Sequence, residues 1–186
     1  MADRMVDQTS GDEVIPYRPI VIAIHGISAL LIFVQLWLGF TFHDLPKGTP
    51  ERAEMFLWHK TVGVVILLLV IVRLIVRLKN PPPLYPASMD RWQRLAAIWG
   101  ERLLYVMMFA LPLTGLMAVS KGGAMTSLQF GVSFPTIPLP DLGELHEPLV
   151  TGMIILLIVH IGAALKHWLV DKDGVVGRMI PFLRRS

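Results

Sequence analysis

Four separate apolar runs, each long enough to cross a lipid bilayer, constrain this chain more than any other feature. About 20 residues of helix span the hydrocarbon core, and the runs cover about 19–40, 56–78, 98–119 and 148–170. Pro19 and Pro148 sit where the first and fourth runs begin, at positions whose amide N–H would lack a helical partner anyway. The second run ends in Arg77-Leu78-Lys79-Asn80 and then three prolines, which stop a helix. Composition agrees: 54% of residues are hydrophobic and 17% charged, against about 25% charged in an average soluble domain. The predicted fold is an all-α integral membrane protein, a four-transmembrane-helix bundle forming one domain over 1–186.

Charge placement predicts the orientation. The stretch after the second run carries Lys79, Arg91 and Arg94, with Arg73 and Arg77 just inside the run. The tail carries Lys172, Arg178, Arg184 and Arg185, with Lys166 just before. The first loop has Lys47 and Arg52, and the third loop, Ser120 to Glu147, has only Lys121. The positive-inside rule then predicts both termini and the second loop on the cytoplasmic side. The net charge of +3 therefore reads as a topology signal with lipid as the partner, and no nucleic-acid partner is expected. Met1 to Arg18 lack the basic start and apolar core of a signal peptide, so the first run is expected to be retained. Phe134 to Pro140 reads as a stiff extended segment over the outer face. Asp90 to Arg94 reads as an interfacial helix start, with Trp92 and Trp99 as headgroup anchors. Arg77 is expected to snorkel to the cytoplasmic headgroups.

The chain has no cysteine. That excludes thiolate-bound iron–sulfur clusters, Cys zinc sites, disulfides and haem attached covalently through Cys-x-x-Cys-His.

It does have six histidines, and five lie in or at the ends of the apolar runs. Ionisable residues inside a membrane are costly, which makes them functional candidates. His25 lies near the start of the first run and His59 opens the second from the outer side. His146 opens the fourth run, and His160 follows fourteen residues later. Fourteen residues of helix rise about 21 Å and return to within roughly 40° of the starting direction. The two therefore face one way at two depths. The pairing expected is His25 with His160 at the inner level and His59 with His146 at the outer level. Facing imidazoles are what bis-histidine haem requires, and two stacked haem b groups would form a transmembrane electron path.

Other residues have narrower readings. Arg73 lies fourteen residues after His59, so it is a candidate partner for an inner haem propionate, or a cation that snorkels to the cytoplasmic headgroups. His167, seven residues past His160, is a candidate hydrogen-bond donor to a quinone carbonyl or a propionate, or an interfacial histidine beside Trp168. His43, read as a residue of the first loop, is a weaker rival to His59 as outer ligand. Met107, Met108, Met117 and Met153 are expected to pack rather than ligate. Pro112 is expected to kink the third helix. Gly26, Gly63, Gly115, Gly152 and Gly162 leave room for a flat macrocycle or for a neighbouring backbone.

These residues resemble the bacterial cytochrome b561 family along nearly the whole chain. The resemblance rests on Ala23-Ile24-His25-Gly26, Trp58-His59-Lys60, Arg73 to Pro81, Leu111-Pro112-Leu113-Thr114-Gly115-Leu116, Leu145-His146-Glu147, Val159-His160 and Ala164-Leu165-Lys166-His167. It implies a bacterial inner-membrane protein with His25, His59, His146 and His160 as the four haem ligands. It also implies quinone chemistry on the cytoplasmic side, with His167 matching a family histidine near that site. One family member oxidises superoxide and passes the electrons to ubiquinone. Two features depart from relatives: Leu84 to Ser88 lacks lysines that some of them carry there, and the polar N-terminus is long.

Three functions are weighed. The first is a quinone-reducing oxidoreductase with an outer-side donor, superoxide among the candidates; Lys47, Arg52 and Lys60 would then form a positive entrance, or be solvated loop charges. The second is a cytochrome subunit that anchors a periplasmic or soluble dehydrogenase and hands its electrons to quinone. The third is a proton or metal transporter using the histidines directly. The third is disfavoured, because only Glu101, at the edge of the third run, accompanies them as an acid.

Overall fold

The computed structural model describes residues 15–86, 89–119, 126–134 and 142–183. Four long helices dominate: α1 (Pro19–Asp44), α2 (Pro50–Lys79), α3 (Arg91–Val119) and α4 (His146–Lys166). A π-helical turn, His167–Asp171, continues α4, and a short α5 (Val175–Met179) follows. Each long helix, α4 together with its flanking turns, is long and apolar enough to cross a membrane. Between α3 and α4 lies a small antiparallel hairpin of β1 (Thr126–Ser127) and β2 (Ser133–Phe134). Its turn places Phe130 at φ 63 and Gly131 at φ 70, a left-handed pair in which Gly131 carries no steric cost.

The helices outrun the apolar stretches because their polar ends have local reasons to be helical. Thr49 caps α2, its hydroxyl accepting from the Arg52 N–H at 3.3 Å, with Pro50 and Glu51 in the first turn. α3 begins at Arg91, so the stretch around Trp92 and Trp99 is continuous with the spanning helix rather than a separate surface piece. α1 ends before Pro46, whose ring disfavours helical geometry at Leu45. His43 therefore belongs to the last turn of α1 and not to the loop. The Pro-rich segment lies outside the described residues from 135 to 140.

α1 packs along α2, α2 against α3 and α3 against α4, while α4 scarcely approaches α1 or α2. The core, at mid-height, is Ile66 and Val70 of α2, Met108 of α3 and Met153 of α4. Methionine fills such irregular gaps, as expected of Met108 and Met153. The perimeter is apolar, with Leu30, Leu78 and Ile158 all well exposed. That surface suits lipid, not water.

One end of the bundle is tied together by both chain ends. The Tyr17 N–H donates to the Arg178 carbonyl at 3.0 Å, and the Arg178 guanidinium donates to the Leu84 carbonyl. This is called the terminal end below, and its opposite the far end. Near it Arg77 of α2 meets Glu101 of α3 in a two-point ion pair, 2.6 and 2.9 Å. Arg77 is thus held between helices, not extended to the headgroups; a fork-shaped guanidinium fits a carboxylate better than it fits loose solvent. Glu101→Ala is expected to lower stability by about 1 kcal/mol, because the pair is partly exposed. Thermal unfolding in detergent checks this; an unchanged midpoint would mean that the pair contributes nothing.

Candidate cofactor-binding site

At the far end α2 and α4 bring His59 and His146 together, ring centroids 6.3 Å apart and planes nearly perpendicular at 87°. Below them, toward the terminal end, His25 of α1 and His160 of α4 stand 6.4 Å apart at 57°. Two metal–imidazole bonds of about 2 Å each, with the two ring radii added, span about 6 Å. Both separations match a single iron held between the rings. Both pairs also bridge helices that otherwise keep apart, since α4 approaches α1 and α2 so little.

The far-end pair lines a cavity of about 530 Å³ bounded by all four long helices. That size lies in the range of cofactor pockets. Glycine shapes its walls. A Cβ on Gly39 would stand 3.2 Å from His59 Cε1, and one on Gly115 would stand 3.0 Å from His146 Cε1. Phe42 packs on His59 with centroids 5.1 Å apart. The Gln35 amide donates to the His59 carbonyl at 3.1 Å and lies 3.2 Å from His59 Nε2. His59 Nδ1 and Gln35 Oε1 are buried and find no partner among the described residues, an arrangement suited to a polar or metal-bearing guest. The residues present fit haem. Gln35 escaped the sequence reading, although a lone amide inside an apolar run was a usable signal.

The terminal-end pair is more open. His160 lies on an exposed flank of α4, and a Cβ on Gly26 or Gly162 would meet nothing within 4 Å. Arg73 reaches this level from α2, its guanidinium 3.0 Å from His25 Nδ1 and over the Tyr105 ring at 5.6 Å. Arg73 Nε is buried without a partner, so the guanidinium keeps a donor in reserve.

His167 sits past the terminal end of α4, its Nδ1 2.6 Å from Asp173 and 3.3 Å from Asp171. Asp171 is also held by Lys166. Tyr17 joins Arg73, Arg77, Glu101 and Tyr105 around a small pocket. Burial pushes the Tyr17 phenol above its ordinary pKa, and the Glu101 carboxylate adds to that; Tyr85 is raised by the same two causes. Of the far-end cations, Arg52 donates to the His43 and Leu45 carbonyls at 3.1 and 2.6 Å and covers Phe42. It closes the C-terminal end of α1. Lys60 lies over the Phe56 ring at 5.1 Å.

Four membrane-length helices carrying two facing imidazole pairs at two depths define the frame of a membrane cytochrome b. The sequence profile of the prokaryotic cytochrome b561 family matches residues 16–182, and the chain belongs to that family. It is 30% identical to cytochrome b561 homolog 2 of Escherichia coli (strain K12) over 173 residues, covering 88% of this chain and 90% of that one. It is 31% identical to cytochrome b561 homolog 1 of the same strain over 165 residues, 86% and 94% of the two chains. It is 28% identical to the probable superoxide oxidase CybB of Yersinia pestis over 173 residues, 89% and 96%. Membership implies membrane electron transfer with haem b, and with the four apolar helices it fits a multi-pass bacterial inner-membrane protein.

Proposed function

We propose that this chain holds two haem b groups and carries electrons across the membrane from an outer-side donor to membrane quinone. The observation that carries the reading is the pair of imidazole pairs, each about 6 Å across, set on one helix face by His146 and His160. When bound, haem supplies one-electron chemistry that no side chain here offers. His59 and His146 would hold it at the far end, and His25 and His160 at the terminal end. Basic flanks support a cytoplasmic terminal end. The far end then faces the periplasm, where the donor arrives. Superoxide is the candidate donor, supported by the likeness to a probable superoxide oxidase.

The chain's own groups assist. Arg73 can leave the His25 ring for a propionate carboxylate, a stronger charge-assisted partner. Asp173 holds His167 Nδ1 and so leaves Nε2 as the ring nitrogen available to a quinone oxygen.

The test is the purified chain in detergent. A reduced-minus-oxidised spectrum with a pyridine haemochrome assay should give two low-spin b haems per chain. In quinone-loaded proteoliposomes, superoxide generated outside should reduce quinone. A folded, haem-free sample from haem-replete cells would sink the cytochrome reading. Two haems without superoxide turnover would transfer the donor role to a partner dehydrogenase.

A further inference from the structure

We infer that Thr114 is the positioning residue for His146: it holds the imidazole proton on Nδ1 and so presents Nε2 to iron. This rests on the reading of His146 as a haem ligand. Thr114 lies on α3, is almost fully buried, and places its Oγ1 3.1 Å from His146 Nδ1. The same oxygen lies 2.9 Å from the Ala110 carbonyl and 3.0 Å from the Leu111 carbonyl. A hydroxyl has one proton and a carbonyl can only accept. The proton therefore goes to the backbone, and the hydroxyl oxygen accepts from Nδ1–H. With the proton fixed on Nδ1, the lone pair is on Nε2, the form that binds a metal.

The next residue completes the seat. Gly115 leaves the space that His146 Cε1 and Nδ1 approach, at 3.0 and 3.3 Å from where a Cβ would be. One residue thus supplies the acceptor and its neighbour the clearance. His59 differs: among the described residues its Nδ1 has no hydrogen-bond partner, and it is the Gln35 amide, 3.2 Å from its Nε2, that meets the ring.

The test is Thr114→Val, which keeps the shape and removes the acceptor, beside Thr114→Ser, which keeps the acceptor, and His146→Ala. Each full-length protein is scored for haem per chain, haem loss to excess apomyoglobin, and the low-spin electron paramagnetic resonance signal. Thr114→Val should weaken retention of the outer haem about 10–100-fold and alter its resonance signal. The inner haem should be untouched, and Thr114→Ser should restore the wild-type values. If His146→Ala loses the outer haem but Thr114→Val keeps it with an unchanged signal, the inference about Thr114 fails alone. If His146→Ala keeps both haems, the ligand assignment fails and the inference goes with it.

Discussion

His160→Ala is expected to leave one haem b per chain, the outer one, and His146→Ala to leave the inner one. α4 supplies one arm of each pair, while the other arms come from different helices, His25 from α1 and His59 from α2. Removing one arm would take away one of the two side chains proposed to hold that haem. With no cysteine in the chain, nothing covalent retains the group. The two losses should be separable. The far-end site is enclosed in the cavity of about 530 Å³, whereas His160 lies on an exposed flank. His160→Ala should therefore empty its site more completely than His146→Ala. Pyridine haemochrome counting and a redox titration of each variant check this. Two haems in both single variants would defeat the assignment, and loss of both haems from either would mean that the two sites assemble as one.

What the sequence made legible follows from helix geometry. His146 and His160 lie fourteen residues apart on one regular helix, so their shared face could be computed without knowing any neighbour. The four apolar runs were legible for the same reason, since bilayer thickness fixes their length. What stayed hidden depends on which faces of different helices meet. Glu101 was visible as an isolated acid, but its match to Arg77 depends on how α2 rotates against α3. Gln35 went unread and Thr114 stood only within the Leu111 to Leu116 motif, because their roles depend on the packing that sets them against His59 and His146. Arg52 read as a solvated loop charge or an entrance charge, because nothing in the sequence shows that α2 begins early enough to bring it back to the end of α1. The helix ends were hidden in part because caps such as Thr49 act in polar sequence, where hydropathy carries no signal.

The glycines offer the second large test, because close helix packing and clearance for a cofactor give opposite expectations for the same substitution. Replacing a helical glycine by a residue with a side chain ordinarily strengthens the helix, by about 1 kcal/mol for alanine. If Gly115 served helix contact alone, a larger side chain would push helices apart and lower overall stability with no particular effect on haem. The first obstacle is not a backbone, however. It is the His146 ring, 3.0 Å from the added Cβ. Gly39 meets the His59 ring in the same way at 3.2 Å, from α1 on another wall of the cavity. Gly115→Val and Gly39→Val are therefore each expected to reduce the haem count from two to one by displacing an outer imidazole, with the inner haem and the helix content retained. Gly115→Ala should fall between, because the ring needs to yield only a few tenths of an ångström. Gly100→Ala on α3, with nothing within 4 Å of the new Cβ, is the control and should keep both haems. Circular dichroism, haem counting and the low-spin signal measured on all four separate the two explanations. Two haems with an unchanged signal in Gly115→Val would return these glycines to plain helix packing. One haem in a fully helical protein would identify the His146 ring as what Gly115 accommodates.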